Sequence, residues 1–394
     1  MSNASDPHDD DTDGATDGAQ GGRLSPLQKK IGVVVTKTEQ KKPKRPMHVA
    51  VVGATGVVGR ETLSILHERR FPMASLTAFA SARSAGESID LGGDIDAYGE
   101  SKSLEVKPLE SADFKGIDLV FFAASGGISK TWAPRAAAAG AVCIDKSSSF
   151  RMDSDVPLVV PEVNGAALKD FAKKRIIATP NCSTIQLVQL LAPLQRAVGI
   201  ERVVVCTYQA VSGAGRGGVD ELEAQTRDMF NFKDAVPKVF DQQIAFNVLP
   251  RIPGRDPIPA DGTTTEERKM IDETRKILGV PDLRVGVTCV RVPVFNAHSE
   301  AVHVELKAPL TVEQAKTLFA LEPNVLVVDD TAAGIYPTAL DATGEDKTLV
   351  GRIRADESVP GGRGLAFWVV SDNLRTGAAL NAVRIAEALC ADFL

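Results

Sequence analysis

The sequence predicts an α/β fold in two parts: a doubly wound parallel sheet, then an α+β part built on a mixed sheet. Three observations predict it. Short apolar runs alternate with helical stretches through the first half, the pattern of βαβ units. A glycine-rich turn joins the first apolar run to the first helical stretch. After residue 200 the apolar runs lengthen and several alternate with period two, as strands of a mixed or antiparallel sheet do.

The chain has 394 residues, enough for two or three domains and for a large core without staples. A content of 44% hydrophobic and 24% charged residues is ordinary for a soluble globular protein. No apolar run is long enough for a membrane helix, and no apolar segment marks a secretory signal at the N-terminus. The net charge of −6 argues against nucleic-acid binding through global positive charge, while leaving room for a local basic pocket that holds a small anion. Five cysteines, Cys143, Cys182, Cys206, Cys289 and Cys390, form no CxxC pair and no disulfide framework. A reducing, cytoplasmic location is expected, and no metal site.

Residues 1–46 read as a disordered tail. The first 22 carry six Asp and no Lys or Arg, and a basic segment ending in KKPKRP follows, so too little apolar area is available to offset ordering entropy. Order begins with MHVAVVG (47–53), a run suited to a buried parallel strand. A helix follows over Glu61 to Arg70, then strands at LTAFAS (76–81), IDLVFFAA (117–124) and AVCID (141–145), with the alanine-rich helix WAPRAAAAG before the last. A long helix starts after NCST (181–184). The longer strands are VVVCTYQAV (203–211), VGVTCVRVPV (285–294) and AVHVELKA (301–308). A final helix, Thr376 to Asp392, packs back on the first part. The expected division is 47–180 completed by 374–394 for the first domain, and 181–373 for the second.

Two motifs carry chemistry. Gly53-Ala-Thr55-Gly56-Val57-Val58-Gly59 follows a strand and opens a helix. Glycines there let the backbone approach a pyrophosphate, and the helix N-terminus presents N–H groups to it, as in a Rossmann-type dinucleotide fold; a glycine turn needed only for packing would look the same. After the second strand, where an NAD-specific fold places an acid, the chain has Ser81-Ala82-Arg83-Ser84. Arginine with hydroxyls suits a 2′-phosphate and favours NADP, although a solvated surface arginine fits too.

The second motif is Thr179-Pro180-Asn181-Cys182-Ser183-Thr184. It puts Cys182 at a helix N-terminus, where the macrodipole is expected to lower the thiol pKa and supply a nucleophilic thiolate. The other four cysteines lie in apolar strands or a helix and read as core. A partner base is needed. Among five histidines, His298 lies in a strand-connecting turn, where functional residues are common, although an ordinary turn histidine fits the position as well. A cysteine nucleophile with a dinucleotide site implies aldehyde oxidation through a thiohemiacetal and a thioester, cleaved by phosphate or water.

Nine blocks then resemble, in order, those of the aspartate-semialdehyde dehydrogenase family, the phosphorylating NADP-dependent enzymes: GATGVVG, SARSAG, SSSFRMD with VPLVVPEVN, TPNCSTIQ, YQAVSGAG, IAFNVLPRI, EERKM with ETRKI, RVPVFNAHSEAV and WVVSDNLRTGAALNAV. The resemblance spans residues 47–394. It implies reversible NADP-dependent reductive dephosphorylation of L-4-aspartyl phosphate to L-aspartate 4-semialdehyde, with release of inorganic phosphate, in lysine, threonine, methionine, isoleucine and diaminopimelate biosynthesis. It implies a homodimer, with no nucleic-acid or membrane partner. By the same resemblance Cys182 is the acyl-thioester nucleophile, His298 the general acid/base and Gln209 the residue that orients the reacting carbonyl. Arg291 grips the substrate carboxylate, for which a planar fork is apt. Glu266 binds its ammonium, and Arg151 and Lys269 serve the phosphate. The NADP contacts are the Gly53–Gly59 turn, Arg83, Ser84, Ser212, Gly213 and Asn373.

Two features depart from the family. Lys146 stands where the block DNSSAFRM has an amide, and the long N-terminus has no counterpart. Three other readings compete: an N-acetyl-glutamyl-phosphate reductase-like enzyme, an inactive paralogue acting as a binding module, and a cysteine hydrolase. The order of the blocks disfavours the first, the presence of Cys182 and His298 the second, and the glycine turn the third.

Overall fold

Seven short strands form the first sheet of the computed structural model, which describes residues 45–91 and 103–394. The tail expected over 1–46 lies outside the described residues apart from Arg45 and Pro46. The strands are β1 (Met47–Val52), β2 (Met73–Ala80), β3 (Ser88–Asp90), β4 (Ser103–Pro108), β5 (Leu119–Phe122), β6 (Val142–Asp145) and β7 (Ile176–Ala178), in the order β3-β4-β2-β1-β5-β6-β7. All neighbours pair in parallel except β3 with β4. Every residue of β5 and β6 is buried, as strands covered on both faces require. The order reverses between β1 and β5, and the carboxyl ends of strands at such a switch point border the crevice where a ligand enters.

The second sheet has six strands: β8 (Ile200–Gln209), β9 (Arg284–Arg291), β10 (His298–Leu306), β11 (Val325–Val327), β12 (Thr348–Ala355) and β13 (Gly364–Ser371), in the order β11-β12-β13-β10-β8-β9. It is mixed, as expected: β8 with β9 and β11 with β12 are parallel, and the other pairs antiparallel. The longer helices are α1 (Val57–Glu68), α2 (Gly126–Ala138), α3 (Cys182–Ala197), α4 (Arg216–Phe230), α5 (Thr265–Leu278), α6 (Val312–Ala320) and α7 (Leu380–Asp392). The last helix expected from the sequence is divided, because a five-residue π-helical segment, Arg375–Ala379, precedes α7.

Helix α3 positions the site. Every residue from Ser183 to Leu194 is buried. Ile185 and Val188 pack into the core on one face of the seven-stranded sheet, with Val120, Phe122 and Cys143. Leu187, Leu190, Leu191 and Leu194 pack into the core of the six-stranded sheet, with Val203, Val302 and Phe367. The other face of the first sheet is covered by α1 and α7 through Leu63, Leu66, Val383 and Leu389. One helix therefore serves both sheets, and its N-terminus lies where the two cores meet. Among the described residues no helix is long and apolar enough to cross a membrane.

Candidate active site

Asn181 begins the construction of the site. Its side-chain oxygen accepts from the backbone N–H of Ser183 at 2.9 Å and caps α3. Its amide donates to Glu266 at 2.8 Å, and its backbone N–H donates to Glu273 at 2.6 Å. Both glutamates come from α5, whose own start is fixed by a Thr264–Glu267 capping box. One residue thus locks the start of α3 to the carboxylates of α5.

Around Cys182 the structure brings together the residues expected there. Gln209 ends β8, and its amide donates to Ser183 Oγ at 3.0 Å and to Glu266 at 3.4 Å. Arg291 ends β9 opposite Gln209, and its Nη1 donates to the carbonyl of Ala210 at 2.6 Å. His298 is the first residue of β10 and does not lie in the preceding turn as expected; that turn closes at Ala297 in the left-handed region. The backbone N–H of Ala210 donates to His298 Nδ1 at 3.0 Å, so the neutral ring carries its hydrogen on Nε2. Nε2 is buried with no hydrogen-bond partner among the described residues. Gly213 sits against both groups: a Cβ there would lie 2.8 Å from Arg291 Nη1 and 3.1 Å from the His298 ring.

The charges correct one expectation. Cys182 keeps a narrow opening to solvent, but protein surrounds it over the distance on which a charge is hydrated. That burial pushes the thiol up to about 11, with Glu266 adding to the rise. The helix dipole does not win, because the N–H groups of Ser183 and Thr184 are already taken by the Asn181 side chain. Lys146, Arg291 and Arg151 oppose the rise, Lys146 most strongly. Burial lowers Lys146 in turn, with Cys182 the main opposing influence. Burial, helped by Arg291, takes His298 down to about 3, so the ring is neutral. Burial also opposes ionisation of Glu266, but Lys269 and Asn181 outweigh it and hold this carboxyl below its ordinary value.

The two cations expected at a phosphate are held by partners. Arg151 is buried, with Nη1 on Glu273 at 2.9 Å and Nη2 on the carbonyl of Lys146 at 2.7 Å, and its Nε has no partner among the described residues. Lys269 lies 3.3 Å from Glu266.

On the cofactor side, Gly53–Gly59 occupies the β1–α1 turn. The N-cap of α1 is Gly56, which brings no side-chain cap. A Cβ on Gly59 would lie 2.1 Å from the carbonyl of Gly53, so only glycine permits this close approach. Thr55 and the first residues of α1, Val57 and Val58, are partly exposed along the turn. Arg83 and Ser84 form a 3-10 turn just past the end of β2, with Arg83 exposed. Ser212 lies after β8 and Asn373 after β13, joined by a hydrogen bond of 3.0 Å from Asn373 Nδ2 to Ser212 Oγ. A helix start without a side-chain cap, a turn with glycine at its close approaches and an exposed arginine at the second strand fit a dinucleotide phosphate chain. The π segment links the two halves of the site: Arg375 pairs with Glu61 of α1 at 2.8 Å, and Gly377 packs against Cys182.

Comparison with known proteins follows this geometry. Residues 48–171 match the model of the semialdehyde dehydrogenase NAD binding domain, and residues 191–376 that of the semialdehyde dehydrogenase dimerisation domain. The aspartate-semialdehyde dehydrogenase of Legionella pneumophila is 48% identical over 351 residues, 89% of this chain and 97% of that one. The Aquifex aeolicus protein of the same name is 49% identical over 344 residues, 86% of this chain and 97% of the other. Among solved structures, aspartate semialdehyde dehydrogenase II of Vibrio cholerae, complexed with ASA, superimposes with a TM-score of 0.84 at 45% identity, covering 89% of this chain and all of that one. The Candida albicans enzyme with NADP has a TM-score of 0.67 at 25% identity, covering 88% of this chain and 99% of that one. Fold and matches together define an NAD(P)-dependent phosphorylating oxidoreductase. Within that class, the chain belongs to the aspartate-semialdehyde dehydrogenase family.

Proposed function

We propose that the chain interconverts L-4-aspartyl phosphate and L-aspartate 4-semialdehyde with NADP(H) and inorganic phosphate, through a thioester on Cys182. The observation that carries this reading is the convergence of Cys182, Gln209, Arg291, His298 and Glu266 from three strands and two helices on one buried cluster. The role in lysine, threonine and methionine biosynthesis follows from the family.

In the reductive direction the Cys182 sulfur attacks the acyl carbon of aspartyl phosphate, and the carbon–oxygen bond to phosphate breaks. Three cations, Lys146, Arg151 and Lys269, border the departing phosphate. When bound, NADPH would supply a hydride to the acyl carbon; the carbon–sulfur bond then breaks, releasing the aldehyde and returning the Cys182 thiolate. His298, neutral with its hydrogen on Nε2, donates a hydrogen bond to the acyl oxygen as negative charge develops there. Gln209 orients that carbonyl. Arg291 holds the α-carboxylate by its planar fork, and Glu266, ionised in place, meets the ammonium. The start of α1 would hold the nucleotide phosphates and Arg83 with Ser84 the 2′-phosphate, while Ser212, Gly213 and Asn373 would contact the nicotinamide side of NADP.

Residues 47–180 with 374–394 form the cofactor domain in this reading, and 181–373 the catalytic and dimerisation domain of a cytoplasmic homodimer. The test is an absorbance assay of reduced NADP with aspartate semialdehyde, run with and without phosphate and against N-acetyl-glutamate semialdehyde. Phosphate-dependent turnover of the free amine alone is expected. Preference for the acetylated substrate would overturn the role of Glu266.

A further inference from the structure

On the face of the second sheet that α3 covers, strand register sorts the side chains into rows. The row nearest Cys182 holds Arg291 opposite Gln209, and His298 opposite Ser371. Two residues deeper, Cys289 pairs with Thr207, Thr207 with Glu300, and Glu300 with Val369. The next row is apolar: Val287, Val205, Val302 and Phe367. Glu300 therefore lies between the pocket and the closed core, on the strand that begins with His298.

Its side chain is fully buried, and neither carboxyl oxygen has a hydrogen-bond partner among the described residues. Thr207 Oγ1 in the same row and Gln186 Nε2 above it are also buried, with no partner at hydrogen-bond distance among the described residues. Gln186 lies one helical turn beyond Cys182, on the same face of α3. Its Oε1 accepts from Ser371 Oγ at 2.6 Å, and its amide faces Glu300 without closing to bonding distance. Cys182, Gln209 and His298 thus each have a polar neighbour directly beneath, on the same element: Gln186, Thr207 and Glu300.

We propose that Glu300 is a positioning residue for the reaction, held as a neutral carboxylic acid that ties Gln186 and Thr207 into one polar layer under Cys182, Gln209 and His298. The inference rests on the roles given above to those three. A neutral acid offers one O–H donor and a carbonyl acceptor, which match the hydroxyl of Thr207 and the amide of Gln186. An ionised one would be an isolated buried anion, which is strongly disfavoured.

Burial pushes Glu300 up to about 8, opposed only by Gln186. The ionisable groups on the elements around it give no compensation. Cys289 on β9 is itself pushed up by burial and by nearby carboxylates, Glu300 among them. Glu267 on α5 accepts from the backbone N–H of Cys289 at 3.0 Å. Cys182 of α3, His298 of β10, and Arg291 and Glu266 belong to the pocket row above, and β8 and β13 present no ionisable group on this face. Because the folded pKa is raised, the neutral form prevails below about 8 and is lost as pH rises through it. Ionisation places an uncompensated negative charge in the row directly beneath Gln209 and His298.

The test is the pH profile of kcat for the full-length enzyme and two variants. The parent is expected to show an alkaline decline near pH 8, matching the raised carboxyl. Glu300→Gln keeps the shape and cannot ionise, so kcat falls a few-fold at neutral pH and the alkaline decline disappears. Glu300→Leu removes the polar group to which the proposal ties Gln186 and Thr207, and kcat is expected to fall on the order of tenfold or more at every pH with KM little changed, as for removal of a buried hydrogen-bond partner. An infrared difference spectrum of parent minus Glu300→Gln is expected to carry a protonated-carboxyl band at neutral pH that vanishes in alkali. An unchanged alkaline limb in Glu300→Gln, or absence of that band, overturns the proposal even where the leucine variant does not fold. Cys182→Ala assayed beside them separates the two readings. If it turns over, the site assignment itself fails; if it is dead and the Glu300→Gln profile matches the parent, only the role of Glu300 fails.

Discussion

The starts of α1 and α3 are both helix N-termini at a place where an anion is handled, yet they are built in opposite ways. At α1 the cap is Gly56, which brings no side chain, and the first turn stays open to a ligand. At α3 the Asn181 side chain takes the N–H groups of Ser183 and Thr184, so the helix end is satisfied before substrate arrives. Stabilisation of an anion at Cys182 falls to side-chain charges, Lys146 first, with Arg291 and Arg151. A helix start attracts an anion only when its donors are free, and a sequence position alone does not reveal whether they are.

Removing the nucleophile gives the largest effect. Cys182→Ala should lower kcat by on the order of 10⁴- to 10⁶-fold, while fluorescence titration finds NADP affinity unchanged, because α1 and not α3 holds the nucleotide. Loss of NADP binding in this variant would overturn the proposal that the start of α1, and not that of α3, holds the nucleotide. His298→Asn should cost about 10²–10⁴-fold in turnover. It also carries a stability signature. The folded His298 is depressed to about 3, below an unfolded value of about 6.5, so below about pH 6.5 the unfolded chain takes up a proton that the native ring refuses. Stability contributed by the neutral ring is present above that value and declines as pH falls toward 3, and urea titrations of His298→Asn should show a shallower acid slope.

Arg83→Ala should raise the Michaelis constant for NADP about tenfold, the worth of an ionic hydrogen bond, with little change for NAD. Equal losses for both cofactors would show that the exposed arginine serves the turn as a whole. The smallest expected effect is that of Lys146→Asn, which restores the family's amide. With the strongest opposing cation gone, the thiol rises further, and alkylation of Cys182 by iodoacetamide at fixed pH should slow a few-fold. An unchanged rate would mean that Arg291 and Arg151 alone govern the thiol.

Much of the fold was legible because glycine and apolar runs speak locally. Gly53–Gly59 lies between an apolar strand and a helix, and the structure places it in that turn. The buried runs at β1, β5 and β6 carry strands within a few residues of their expected limits. β4, with SLEVKP, and β12, with TLVGRIRA, were silent because charged residues break their patterns, and pairing to neighbouring strands makes them strands. The pocket was legible mainly through family resemblance, since its members are separated by up to about a hundred residues and meet only through sheet register. The direction of the Cys182 shift was not legible. It depends on burial and on Asn181 occupying the helix donors, which no local pattern encodes. Lys146 was visible only as a departure, and its nearness to Cys182 emerged from the fold. Glu300 could have been noticed as a lone acid in HSEAVHV, two residues past His298, but nothing in that string tells a buried acid from the exposed His303 side of the strand.

Helix α3 lends its leucines to one sheet and its Ile185 and Val188 to the other, so neither half can loosen without stripping apolar cover from the nucleophile's own support. The amides of Ile185–Ala192 should therefore be among the last to exchange with solvent deuterium, opening only with the whole molecule. Heat or urea should extinguish activity in the same transition that erases the helical signal, with no earlier stage in which a folded body carries a melted site.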